Sequence, residues 1–450
     1  MTRATPRTAA VACRGCLGDA LVLMALKLCI GAYVVHAGFS HVSDDDYART
    51  VIAEQFAHAP RLDPSGTSWL PLPFWVLGTA MMALGRSLAV ARSVAVVLGT
   101  AAVVLPYAAL RLRGAGRLVA ITATAVAMAM PWNAWLGVAS VPEGWTGAAA
   151  GAAIIALAVP STRWAVAGTL LATSLSRYET WPVCALAAAL GLARAAREKR
   201  ADDLACALLC AAGPLLWIAW NAHAHGDALH FLVRVSAFRR AAGAAARPLK
   251  DKIFEYPAAL VTGTPEAAFL GALGLGAMFA TKPVRKRWFW STIAVLATFA
   301  FLIAGDIRDG APTHHPERAL SSTWWVFVAM GVDAIATAFA TLPVGTARVG
   351  FGALGASALA WGATLPFRFR DAPGMAEFER RDAQIARGLD MRQEHVASAV
   401  VTPCAFEHFA LIAAWGRPER ARIAPSLHRP PTTGCPEVEA SSTSEPGLAP

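Results

Sequence analysis

Charged residues are scarce in this chain. Only 16% of its 450 residues are Asp, Glu, Lys or Arg, whereas 56% are hydrophobic, and the mean hydropathy is +0.46. A soluble globular domain is about one quarter charged, so that class is excluded and the membrane class follows. There is also no basic stripe interleaved with aromatics, so the formal net charge of +10 does not point to nucleic acid. The lysines and arginines sit instead in short loops between apolar runs, which is the positive-inside pattern of a membrane protein. No second C-x-x-C accompanies Cys13 and Cys16, so no tetrahedral metal site is completed there. Cys29, Cys184, Cys206 and Cys210 lie inside apolar runs and read as small buried residues. Cys404 and Cys435 leave a disulfide open if the C-terminal region faces an oxidising compartment. No internal repeat is present, so the inverted-repeat pattern of many secondary transporters is missing.

What the chain has in abundance is apolar sequence. Runs occur at residues 17–37, 69–84, 88–110, 118–130, 145–159, 164–175, 181–193, 204–220, 257–280, 288–304, 323–342 and 351–365. A span needs about 20 apolar residues to cross ~30 Å of hydrocarbon, so the shorter runs must borrow flanking residues. The first run follows Arg3, Arg7 and Arg14 and exceeds the roughly 7 to 15 residues of a signal-peptide core. It reads as a retained signal anchor with the N-terminus inside. Counting every run as a span would place the basic loops at Arg111–Arg117, Arg194–Arg200 and Lys282–Arg287 outside, against the positive-inside rule. Laying residues 69–84, rich in Pro and Trp, along the outer interface returns all of these loops to the inside. The expectation is therefore an all-α polytopic membrane protein of about 11 transmembrane helices, with an outer interfacial helix and the C-terminus outside. Residues 1–366 form its membrane domain. Residues 367–429 form a small extracytoplasmic α/β region, with strands at 398–403 and 421–425 around a helix at 406–415. Residues 430–450, rich in Pro, Ser, Thr and Glu, read as disordered.

On this topology every group able to do chemistry falls on the outer face. Ser43-Asp44-Asp45-Asp46-Tyr47 follows the first span. Adjacent carboxylates repel, which raises the pKa of at least one unless a cation lies near; such a cluster can supply a general base or a metal ligand, or it can be a solvated helix start. Pro142-Glu143, Ser176-Arg177-Tyr178-Glu179 and His314-His315-Pro316-Glu317-Arg318 lie in later outer loops. Arg177 and Glu179, two positions apart, cannot pair across a helix, so each is expected to have another partner. Arg318 is suited to bidentate phosphate binding and stays charged. His314 and His315 are neighbours and make a poor joint ligand set for one ion.

The order of elements after the first span resembles the membrane-embedded glycosyltransferases of the GT-C fold, which include protein mannosyltransferases, aminoarabinose transferases and arabinofuranosyltransferases. The similar elements are Asp44-Asp45-x-Tyr47 and Ser68-Trp69-Leu70-Pro71-Leu72, and the likeness is best over roughly the first third of the chain. Trp69-Leu70-Pro71 replaces a doubled proline, and the third aspartate leaves the identity of the base open. The resemblance implies a GT-C-like bundle and an inverting transferase in the bacterial inner membrane. It would move sugar from a polyprenyl-phosphate donor to a lipid, glycan or protein acceptor on the outer face. It implies Asp44 or Asp45 as base and Arg177 and Arg318 on the donor phosphate, supported by Tyr47, Glu143, Glu179, His314 and His315. A divalent cation is left open as cofactor. Two other readings are a transporter or flippase, for which ionisable groups in the apolar runs such as Lys27, Arg92 and Asp333 would mark a path, and a non-catalytic scaffold of envelope assembly.

Overall fold

A computed structural model of the chain describes residues 6–66, 68–241, 247–310, 315–373, 378–403, 406–424 and 437–441. Among them the helices run in order α1 (Pro6–His36), α2 (Asp45–His58), α3 (Leu72–Leu84), α4 (Leu88–Ala102), α5 (Val104–Leu112), α6 (Arg117–Ala129), α7 (Pro131–Leu136), α8 (Glu143–Ala156), α9 (Arg163–Ser174), α10 (Trp181–Glu198), α11 (Ala201–His225), α12 (His230–Ala241), α13 (Leu249–Gly263), α14 (Pro265–Ala280), α15 (Lys282–Ile307), α16 (Ser321–Phe339), α17 (Val344–Arg368), α18 (Phe378–Gln393) and α19 (His408–Trp415). The strands are β1 (Ser398–Thr402), β2 (Ala421–Ile423) and β3 (Glu437–Ser441).

Among the described residues six helical stretches are long and apolar enough to cross a membrane, or up to 7 if α13 and α14, bent by 105° at their junction, count as one span. The chain is a multi-pass integral membrane protein. Several runs expected to span form shorter helices instead: α6 has 13 residues, α8 has 14 and α9 has 12. At ~1.5 Å per residue each reaches only about 18–21 Å, because Pro131, Pro142 and Pro160 open new helical segments where a longer run would have to continue. The interfacial run becomes α3, 13 residues long and likewise too short to span alone.

The core is built on α16, whose Trp324, Val326, Val328 and Met330 are fully buried. Small residues let neighbouring helices approach it. A Cβ on Gly271 or Gly274 of α14 would strike Phe327 or Met330, and one on Gly151 of α8 would strike Trp325. Packing through small residues is the usual solution where lipid offers no hydrophobic drive between helices. At the opposite extreme α17 buries no residue, and Phe279, Val349 and Leu359 present three quarters or more of their surface, as lipid-facing side chains do.

The tail forms a three-stranded sheet in the order β2-β1-β3. β1 runs parallel to β2, with Val400 opposite Arg422, and the intervening α19 supplies the crossover that a parallel pair needs. β3, expected in a disordered tail, pairs antiparallel with β1, with Val401 opposite Val438. Composition missed it because one apolar side chain, Val438, seats on the cluster formed by Met391, Val401, Ile412 and Trp415. The sheet unit does not stand free: Ala410 and Ala413 of α19 pack on Tyr47 of α2 and on Leu88.

Candidate active site

Helix α2 carries the acidic cluster, and its first turn holds Asp45 and Asp46, where the positive end of the helix dipole favours negative charge. The three aspartates then diverge. Asp46 turns back to bind the chain: its Oδ2 accepts from the backbone N–H of Val42 at 3.0 Å and Ser43 at 3.3 Å, and its Oδ1 accepts from Ser140 N at 2.8 Å. Asp44 points to the tail, where Arg381 forks onto it with Nε–Oδ1 2.7 Å and Nη2–Oδ2 2.8 Å. Asp45 faces inward, its Oδ2 accepting from Arg318 Nη1 at 2.9 Å.

Arg318 joins the loops. It lies in a 3-10 turn, Pro316–Leu320, and its Nε and Nη2 donate to Glu143 Oε1 at 3.0 and 2.7 Å. The same Glu143 oxygen accepts from Arg177 Nη1 at 2.6 Å, while Arg177 Nε donates to Glu179 Oε1 at 2.6 Å. Arg177 thus has another partner in Glu143, as expected, but it also pairs with Glu179, against the expectation. The helical spacing rule does not apply, because Arg177 is extended (φ −147°, ψ 132°) ahead of the short turn Tyr178–Thr180. Asp45, Glu143, Arg177, Glu179 and Arg318 therefore converge from four loops far apart in sequence. Glu143 Oε2 is buried without a hydrogen-bond partner.

Exposure separates the members. The Glu143 and Glu179 side chains are 0% and 5% exposed, whereas that of Asp45 is 31% exposed. Asp45 is thus the carboxylate of the group that an incoming molecule can reach. Burial would raise its pKa, but the charges of Arg318 and Arg49 and the Arg318 hydrogen bond outweigh it and hold the carboxyl below its ordinary value. Glu143, fully buried, would be raised further, yet Arg177, Arg318 and Arg49 hold it at about 2. Burial disfavours the charge on Arg177, and Glu143 and Glu179 more than restore it.

Arg49 is a member that motif reading missed. It lies four positions after Asp45, on the same helix face, and its guanidinium sits 4.4 Å over the Trp69 ring, with Nε buried and lacking a hydrogen-bond partner. Burial lowers its pKa to about 10, against the pull of Glu143 and Asp45. It thus adds a third cation beside the two carboxylates. The i, i+4 spacing was the available signal.

Other expected members lie apart. Tyr47 is fully buried against α19, its hydroxyl without a partner. His315 adopts φ 56°, with its ring 5.7 Å from that of Trp132, and its carbonyl accepts from Arg318 N at 3.0 Å. His314, Cys404 and Cys435 lie outside the described residues. No group of three or more His, Cys, Asp or Glu able to hold a metal ion occurs among the described residues.

No family model matches the chain, and no curated protein matches it. Solved structures similar to it include two of one protein. One is the crystal structure of ArnT from Cupriavidus metallidurans bound to undecaprenyl phosphate, with TM-score 0.49 and 14% identity, over 89% of this chain and 75% of that one. The other is the same protein in the apo state, with TM-score 0.46 and 14% identity, over 90% and 75%.

Proposed function

We propose that this chain is a membrane glycosyltransferase of the GT-C type that transfers a sugar from a polyprenyl-phosphate donor to an acceptor hydroxyl at the outer face of a bacterial inner membrane. The observation that carries this is Asp45, a partly exposed carboxylate held against a buried arginine and grouped with three guanidiniums. The order of sequence elements around it supports the same reading.

The chemistry follows from what each group can hold. An acceptor hydroxyl is a weak nucleophile, and a carboxylate that takes its proton as the C–O bond forms lowers the barrier, typically by ~10²- to 10⁴-fold. Asp45 is that base. The bond from the anomeric carbon to the phosphate oxygen breaks on the opposite face, and the electron pair leaves with the polyprenyl phosphate, so the anomeric centre is inverted. Negative charge grows on the departing phosphate, and preorganised cations stabilise that change more than the ground state. Arg318 and Arg177 are fixed for this role by Glu143 and Glu179, and Arg49 stands beside them. Asp44, gripped by Arg381, positions the start of α2 and does not compete for the proton.

The transporter reading loses its main support. Lys27 Nζ donates to Asn133 O at 2.6 Å, Arg92 Nη2 donates to Ser40 O at 3.0 Å, and Asp333 Oδ2 accepts from Arg287 Nε at 3.0 Å. These ionisable groups have local structural partners.

The test is release of labelled sugar by the purified protein from a panel of polyprenyl-phosphate sugars, with a membrane extract as acceptor source. Turnover of at least one donor is expected. No release from any donor, by a protein shown to be folded, would leave the scaffold reading in its place.

A further inference from the structure

A cavity of about 330 Å³ opens at the end of the bundle away from Asp45. Its wall takes Arg113 and Gly116 from the turn between α5 and α6, Arg287 and Trp288 from the first turns of α15, and Asp333 and Ala336 from the last turns of α16. Arg318 and Thr337 stand at opposite ends of the continuous stretch Pro316–Phe339, roughly 28 Å apart at helical rise, so this cavity is separate from the carboxylate–arginine centre.

The charges in the wall do not cancel. Asp333 Oδ2 is satisfied by Arg287 Nε at 3.0 Å and Trp288 Nε1 at 2.7 Å, and Arg287 Nη2 donates to Thr337 Oγ1 at 2.7 Å. That carboxylate and that guanidinium neutralise each other. Arg113 has no acidic partner among its hydrogen bonds: its Nη1 donates to Ile155 O and, at 2.9 Å, to Ser291 Oγ, and its guanidinium lies 4.3 Å over the Trp288 ring. Its Nη2 is buried with no hydrogen-bond partner, a donor whose desolvation goes uncompensated. Gly116 immediately precedes α6, which starts without a side-chain cap, so free N–H groups at a helix start stand at the same wall. Leu112 and Leu118, 59% and 73% exposed, flank the turn with apolar surface.

We infer that this cavity binds an anionic phosphate ester through Arg113 and the start of α6, and that the ester is the headgroup of a membrane lipid whose acyl chains lie along Leu112 and Leu118. A free phosphate would use the same donors without the apolar contact. Basic pockets between membrane helices are suited to anionic headgroups for this reason.

The experiment is native mass spectrometry of the purified full-length protein with phosphatidylglycerol and phosphatidylcholine in equal amounts, alongside thermal stability with inorganic phosphate in lipid-free detergent. The expected result is retention of phosphatidylglycerol over phosphatidylcholine by about fivefold, the scale of one basic residue at a membrane surface. Arg113→Gln should abolish the preference. Because Arg113 also holds a backbone carbonyl, Ala336→Phe, which fills the cavity and leaves every charge in place, should do the same. If phosphate alone raises the wild-type Tm but not that of Ala336→Phe, and neither lipid is preferred, the anion site stands and its ligand is free phosphate. Equal retention of both lipids with no phosphate response, or a lipid preference that persists in Ala336→Phe, would overturn the inference.

Discussion

Asp44, Asp45 and Asp46 are neighbours in sequence, yet the fold gives each a different partner: a tail arginine, a core arginine and the backbone. Their chemistry separates accordingly. Asp46→Asn removes an anionic acceptor from three backbone donors, and hydrogen bonds to charged groups are worth about 1.5–3 kcal/mol each. A lowered Tm in detergent is expected, larger than that of Asp45→Asn. For Asp45 the pH dependence has a definite sign. Its folded pKa lies below 3.8 because Arg318 and Arg49 outweigh burial, so the carboxylate stays ionised from neutral pH down to about pH 4 and is protonated only below it. Arg318→Gln removes the largest opposing charge and leaves burial dominant, which should move the acid limb of kcat/KM upward. A pH profile with an unmoved acid limb in this variant would argue against Asp45 as the base.

At the scale of elements, Glu143 at the start of α8 is the hub. Its one engaged oxygen receives both Arg177 and Arg318. Breaking a buried pair by removing one partner typically costs about 3–5 kcal/mol, so Glu143→Gln should lower both the Tm and the yield of folded protein, whereas substitution at exposed Arg61 should not. The sequence carried much of this level and missed part of it. The acidic loop, Glu143, Arg177 and Arg318 are legible because charge in a chain this apolar is conspicuous, and β1, α19 and β2 are legible from period and turn residues. Arg49 is readable only once Asp45 is placed on a helix, since i, i+4 neighbours matter only there. The Arg177–Glu179 pair is unreadable in advance, because it depends on an extended residue between two helices. β3 has a single anchoring side chain, too little for composition to register.

Across the whole molecule the basic turns at Arg111–Arg117, Arg194–Arg200 and Lys282–Arg287 share one end. α8 starts at Glu143 in the site and ends where Ile155 O meets Arg113; α10 starts beside Glu179 and ends at Glu198; α15 starts at Lys282 and ends at Ile307, ahead of the turn that carries Arg318. These three turns thus lie at the end away from Asp45, as the positive-inside rule requires if the site faces outward, while the basic α12–α13 segment lies at the site end. Both Arg61 and Ala196 are exposed. In a background without native cysteines, Arg61→Cys should react with an impermeant thiol reagent on intact cells and Ala196→Cys only after permeabilisation; the reverse pattern would turn the molecule over. In the proposed mechanism Asp45 takes the acceptor's proton as a sugar leaves a polyprenyl phosphate. The most direct measurement is single-turnover transfer of labelled sugar by wild type and Asp45→Asn at matched amounts of folded protein. A loss on the order of 10²-fold or more is expected with little change in Tm, and transfer at the wild-type rate by Asp45→Asn would contradict a role for Asp45 as base.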